Sequence, residues 1–330
     1  MHAEGALGDE RVLVVGAGSL GSVYGARLAR AGVDVQLLAR EAHARAITAA
    51  GGIRVNDELV PLHAEWRPER IEPADIVVVL TKTPDTEPAL AALPQVRDDV
   101  RLAVSLQNGV EKNTVLAAWC GEKAVVGGVS MVGGTLLEPG SVAVTAAGTT
   151  IIGELQGGSS PRVDRLAELL EAGGLRTIVS ADVRAVEWAK LVHAAPTMAV
   201  PALVRLPLHH CLAERPLAEV YVTLVREGLA VARAVGVEID DAPIGYPLRT
   251  IARAPDEEAV ALVEAHGRRL EAAGMTEIRV SMLQSIERGR RTEFDAVHGF
   301  LVREADRLGV AVPATRLCER LLAGLDVTLA

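Results

Sequence analysis

A continuous apolar run that ends in a glycine-rich turn constrains this chain more than any other feature. Arg11-Val-Leu-Val-Val15 reads as a strand buried on both faces, and Gly16-Ala-Gly18-Ser-Leu-Gly21 follows it at once. Residues 22–31 then read as a helix that stops at Gly32, a suitable C-terminal cap. Residues 33–39 form the next apolar run. Strand, turn, helix and strand within about 30 residues make a βαβ unit.

The alternation continues. Residues 42–50 read as a helix, residues 53–62 as a short β-type segment, and residues 74–80 and 101–106 as buried strands. Residues 124–153 are β-rich, with a turn at Glu138-Pro139-Gly140; a helix over 161–173 and a strand over 175–180 close the pattern. Beyond about residue 182 the periodicity turns helical, as over 214–235, 256–273 and 292–308. The fold expected is α/β: a disordered leader (1–10), an N-terminal Rossmann-type dinucleotide-binding domain (11–181) and a mainly α-helical C-terminal domain (182–330). A chain of 330 residues accommodates two domains of roughly 150 residues each.

Each glycine of the turn has a physical task. Gly16 permits the tight turn, Gly18 lets backbone approach a pyrophosphate, and Gly21 lets the helix pack close to the sheet. The N–H groups around Ser19 and Leu20, at the positive end of the helix dipole, suit phosphate oxygens. The second strand ends in Leu38-Ala39-Arg40, where an NAD site carries an acidic residue for the ribose hydroxyls. A guanidinium there pairs with a 2′-phosphate, so the expected cofactor is NADPH; the competing reading of Arg40 is a surface arginine. Lys82 and Asn108 follow strand C-termini, the ligand-binding edge of an open α/β sheet. Asp75 begins its strand, away from that edge, and reads as structural.

Composition removes other classes. A formal charge of −9 argues against nucleic acid, and no run approaches the roughly 20 apolar residues of a membrane span. Cys120, Cys211 and Cys318 match no metal pattern and fit a reducing compartment, so a cytoplasmic location is expected. His209-His210 is a poor chelate, since adjacent side chains diverge, and no metal is expected.

With these residues in hand, the chain resembles the ketopantoate reductase family over residues 11–325. The resemblance rests on the glycine turn, Gln107-Asn108-Gly109, Glu187-Trp-Ala-Lys190-Leu, Ser281-Met-Leu-Gln284 and Thr292-Glu293-Phe-Asp295, continued by Gly299-Phe-Leu and Gly309-Val-Ala-Val-Pro313. It implies that Lys190 is the general acid toward a substrate carbonyl and that Glu293 positions the lysine and substrate. It also implies that Ser281 binds a substrate carboxylate, that Asn108 lies beside the cofactor, that Arg40 meets the 2′-phosphate and that Lys82 lies near the ribose or nicotinamide. Substrate is expected in the cleft between the domains. The competing readings are an exposed helix lysine for Lys190 and a surface ion pair for Glu293, which stands near Arg290 and Arg291.

The departures from the family pattern concern the substrate. Ala194, Met198 and Ile278 stand where the family carries asparagines, and His298 replaces another before Gly299. Losing hydrogen-bonding groups removes discrimination for a substrate hydroxyl, so the substrate is expected to be bulkier or less hydroxylated than ketopantoate. His193 and His298 are new polar groups that either contact it or serve as structural histidines. Alternatives on the same scaffold are a 2-hydroxy acid dehydrogenase, an imine reductase and a non-catalytic NADPH sensor. A homodimer through the helical domain is compatible with its Leu/Val-rich helices.

Overall fold

The computed structural model describes residues 10–241, 244 and 246–329. Nine of the ten positions assigned to a leader lie outside the described residues. The tenth, Glu10, holds Arg165 in an ion pair at 2.7 Å. Two compact units emerge: Met1–Gln107 with Lys112–Arg184, and Asn108–Glu111 with Ala185–Ala330. The short segment around Asn108 thus belongs with the helical unit.

The first unit carries twelve described strands: β1 (Arg11–Val15), β2 (Asp34–Leu38), β3 (Ile53–Val55), β4 (Glu58–Val60), β5 (His63–Glu65), β6 (Ile76–Val79), β7 (Leu102–Ser105), β8 (Val125–Ser130), β9 (Gly133–Glu138), β10 (Ser141–Ala146), β11 (Thr150–Gly153) and β12 (Thr177–Val179). Eight form one sheet in the order β12-β11-β8-β7-β6-β1-β2-β5. From β5 to β8 every pairing is parallel, while β11 runs antiparallel to β8. Val12 to Val15 of β1 are all 0% exposed, as a central parallel strand covered on both faces requires. At the strands' N-terminal ends Asp75 accepts from the Arg11 backbone N–H (3.1 Å) and pairs with Arg101, so it is structural there.

The β-rich stretch divides between two sheets. Strands β9 and β10 leave the main sheet and join the β3–β4 hairpin in the order β4-β3-β10-β9. His43 ties this small sheet to two helices. Its Nδ1 accepts from the Gly140 N–H (2.9 Å), which leaves Nε2 protonated and donating to the Ser22 hydroxyl (2.9 Å).

The second unit is helical and holds most of the helix Val183–Val204, with Arg215–Ala234, Asp256–Ala272, Ser281–Glu287, Phe300–Leu308 and Pro313–Thr328. The stretch expected to be one helix over 292–308 opens instead as a π-helical turn, Asp295–Gly299, and becomes α-helical at Phe300. Among the described residues no helix is long and apolar enough to cross a membrane.

Candidate active site

The glycine turn is built to be close-packed at two positions and open at one. Gly16 has φ +93°, and a β-carbon there would collide with the Thr81 backbone. A β-carbon at Gly21 would strike the Gly16 carbonyl. At Gly18 it would meet nothing within 4 Å, and Gly18 itself is exposed. Leu38 O accepts from both Gly16 N and Ala17 N at 3.0 Å, fixing the turn to the end of β2. The helix Ser19–Arg30 begins at Gly18 with no side-chain cap on its first N–H groups. An uncapped helix start with open space in front is a cradle that fits a pyrophosphate.

Ser19 and Leu20, in the first turn of that helix, are half-buried. The Ser19 hydroxyl accepts from Leu136 N (3.0 Å), so its side chain holds the small sheet while its backbone N–H stays in the cradle. Arg40 stands just beyond β2, its side chain 77% exposed and 3.2 Å from Asp85. An exposed pair of this kind contributes on the order of 0–1 kcal/mol, so it costs little to redirect the guanidinium toward an anion. Lys82 is exposed at the start of the helix Thr83–Ala91, just after β6. Sequence reasoning gave no role to Thr81 and Thr86, nor to Gln107 beyond its place in the Asn-Gly motif. The Gln107 amide donates to Thr81 O (2.8 Å) and Thr86 Oγ1 (2.7 Å), locking the ends of β6 and β7 together. The signal available was polar residues placed directly after apolar strand runs.

In the helical unit, Lys190 is half-buried on the helix Val183–Val204. Two contacts bring the segment of Glu293 to that helix. Trp188 packs on Phe300 with ring centroids 5.7 Å apart, and His298 Nε2 donates to Ala195 O at 2.9 Å. Glu293 is half-buried in the segment that leads into the π-turn, and Thr292 N is held by Asp326 at 2.9 Å. Asn108 and Gly109 approach the same turn: a β-carbon at Gly109 would lie 2.7 Å from Ala296 O. Arg303, which sequence reasoning missed, grips both sides, pairing with Glu111 (2.7 Å) and Asp295 (2.6 Å). Ser281 is exposed at the first position of its helix.

The two histidines separate. His298 is 0% exposed, one nitrogen is committed to Ala195, and burial pushes its pKa down to about 4. That hydrogen bond pins two helical segments together, the structural one of the two roles open to His298. His193, three residues after Lys190, instead joins a cluster with Thr197, Tyr221, Tyr246 and His266. Burial, and after it the charge of Lys190, push His193 down to about 3, so the ring is neutral. At the asparagine positions, Ala194 and Met198 are buried (2% and 8% exposed) and Ile278 is half-buried. His209 and His210 lie closer than divergence implies, with ring centroids 4.4 Å apart. Among the described residues no three His, Cys, Asp or Glu side chains gather as metal ligands.

Two family models match this chain. The model for ketopantoate reductase PanE/ApbA covers residues 12–157, and that for the ketopantoate reductase PanE/ApbA C terminal covers residues 182–326. A 2-dehydropantoate 2-reductase of Archaeoglobus fulgidus is 32% identical over 321 residues, 96% of this chain and 98% of that protein. The crystal structure of a PanE/ApbA family ketopantoate reductase from Ralstonia eutropha JMP134 superposes with a TM-score of 0.81 at 31% identity, over 97% of this chain and 99% of that one. A ternary structure of D-mandelate dehydrogenase with NADH and anilino(oxo)acetate gives a TM-score of 0.84 at 21% identity, over 97% and 99% of the two chains. At that identity the likeness is one of fold.

Proposed function

This chain belongs to the ketopantoate reductase family, and we propose that it is an NADPH-dependent reductase of a 2-oxo acid with a bulkier, more apolar body than ketopantoate. Membership makes it an oxidoreductase that works with a dinucleotide. The observation that carries the reading is the glycine turn, close-packed at Gly16 and Gly21 and open at Gly18, at the start of an uncapped helix. Gly18, Ser19 and Leu20 hold the pyrophosphate through backbone N–H groups, and Arg40 takes the 2′-phosphate. Lys82 and Asn108 flank the ribose and nicotinamide. The dinucleotide, once bound, supplies the hydride.

The remaining chemistry belongs to the protein. Ser281 receives the substrate carboxylate. Lys190 faces the carbonyl oxygen, where negative charge grows as the carbon is reduced, and gives that oxygen a proton. A donor that gains strength as charge develops lowers the barrier rather than merely tightening binding. Glu293 holds the lysine head in place. Buried Ala194 and Met198 support an apolar substrate body, because neither offers a hydrogen bond.

NADPH consumption against a panel of 2-oxo acids, with Lys190→Ala as control, tests this. The expected result is faster turnover of a bulky 2-oxo acid than of ketopantoate, abolished in the variant. A clear preference for ketopantoate contradicts the substrate assignment, and activity that survives in Lys190→Ala contradicts the assignment of the acid.

A further inference from the structure

Asn108 is bracketed in the chain by two buried polar side chains that the proposed reaction does not use, Gln107 and Lys112. Lys112, 6% exposed, opens the helix Lys112–Cys120. Its ammonium donates to Ser105 O of β7 (3.0 Å) and to Gly128 O of β8. An ammonium withdrawn from water needs such acceptors in place of its hydration. The seat is tight, since a β-carbon on Gly128 would come 2.6 Å from a Val104 methyl and 2.8 Å from a Leu106 methyl. Gln107 uses both ends of its amide. Its Oε1 accepts from the Ser105 hydroxyl (2.8 Å), and its Nε2 donates to Thr81 O (2.8 Å) and Thr86 Oγ1 (2.7 Å). Ser105 is thus a shared anchor: its hydroxyl binds Gln107 and its carbonyl binds Lys112. Thr81 is the residue whose backbone a β-carbon on Gly16 would strike.

Asn108–Glu111 is therefore a short span with both ends fixed on one frame, the C-terminal ends of β6, β7 and β8. A span of this length has about eight soft dihedrals, and fixing its far end in position and direction removes about six of them. Releasing either end returns that freedom to Asn108. We propose that Gln107 and Lys112 are positioning residues, which hold Asn108 at a set distance from the glycine turn so that its side chain meets the nicotinamide end of the bound dinucleotide. Thr81 makes the distance definite: it backs the turn at Gly16 and anchors Gln107, the residue before Asn108. A dinucleotide of fixed length is then gripped at its pyrophosphate by the one and at its nicotinamide by the other. The inference rests on the reading of Asn108 as a cofactor residue and deepens it. A lysine suits the far end because its stem is long enough to reach two strands and its head carries donors for both carbonyls.

The test is calorimetric titration of the full chain with NADPH and with 2′-phospho-ADP-ribose, which keeps the pyrophosphate and 2′-phosphate and lacks the nicotinamide. Lys112→Met and Gln107→Met should each weaken NADPH by roughly 5- to 30-fold and the truncated ligand by less than about twofold. Lys112→Gln, which keeps a donor on a shorter stem, should lose less of the NADPH affinity than Lys112→Met and serves in its place if the methionine variant does not fold. Asn108→Ala should show the same selective loss. In the Asn108→Ala background, Lys112→Met or Lys112→Gln should weaken NADPH by no more than about a further twofold, because the residue it acts through is gone. Equal losses for the two ligands would assign Gln107 and Lys112 a purely structural role and overturn the inference. So would NADPH affinity that the variants leave unmoved, or a loss that persists undiminished without the Asn108 side chain. Asn108→Ala with unchanged NADPH affinity overturns the inference together with the assignment of Asn108. A chain that shows the selective losses but reduces no 2-oxo acid upholds the positioning pair and overturns the reductase reading alone; a chain that binds no NADPH overturns both.

Discussion

Gly109 sits against Ala296 so closely that a β-carbon would come 2.7 Å from the Ala296 carbonyl oxygen, at a backbone φ of +88°. The segment Asn108–Glu111 thereby seats on the π-turn that follows Glu293, and Arg303 closes the contact from the other side. An alanine at 109 faces both the clash and a left-handed backbone, which alone costs about 1–2 kcal/mol. Gly109→Ala is expected to lower Tm by several degrees and to depress kcat/KM by displacing Asn108; thermal melts and steady-state kinetics read both.

Gly18 and Gly21 should respond differently to the same substitution. A β-carbon at Gly18 meets no neighbour, so Gly18→Ala should fold normally and lose NADPH affinity, roughly tenfold or more, by crowding the pyrophosphate. Gly21→Ala meets the Gly16 carbonyl and should lose stability as well. Cofactor titration by fluorescence, paired with denaturant unfolding, separates the two effects.

Arg40 should decide between the nicotinamides. Its side chain is largely exposed and only loosely held by Asp85, so removing it leaves the fold intact. Arg40→Ala is expected to raise KM for NADPH by roughly 10- to 100-fold and to change KM for NADH little, since only NADPH presents the 2′-phosphate. Equal losses with both cofactors would show that Arg40 does not read that phosphate.

Buried histidines should weaken the fold in acid. Burial lowers His298, to about 4, and His43, so in each case the folded state favours the neutral ring. Their contribution is complete above about pH 6.5 and is lost as the pH falls through the folded-state values. For His298 the span from 6.5 to about 4 corresponds to about 3 kcal/mol. Chemical denaturation between pH 7.5 and 4.5 should show this loss. His298→Gln, which retains a donor for Ala195, should flatten the slope by up to one proton.

The first unit was legible because its strands are buried on both faces. Val12–Val15 and Ile76–Val79 read as unbroken apolar runs, and the glycine turn between β1 and its helix has one physical solution. The small sheet was not separable from the main one, because β8 to β11 share the same composition and only long-range pairing divides them. The helix that carries Lys190 shows little periodicity: it is apolar nearly all round and contains Pro196 and Pro201. Lys190, Glu293 and Ser281 could be named only through resemblance. For His298 the sequence left a substrate contact and a structural histidine both open, and its hydrogen bond to Ala195, 103 residues away along the chain, left no local mark. The role of Arg303 depends on its pairing with Glu111, far away along the chain, and left no local mark.

In the proposed reaction Lys190 delivers the proton as the carbonyl is reduced. Single-turnover NADPH oxidation by wild type and Lys190→Ala, at saturating cofactor and with a 2-oxo acid that the wild type accepts, tests it most directly. The rate constant should fall by about 10²- to 10⁴-fold, the usual contribution of a positioned general acid, while NADPH affinity is retained. A variant that oxidises NADPH within a few-fold of the wild-type rate would contradict it.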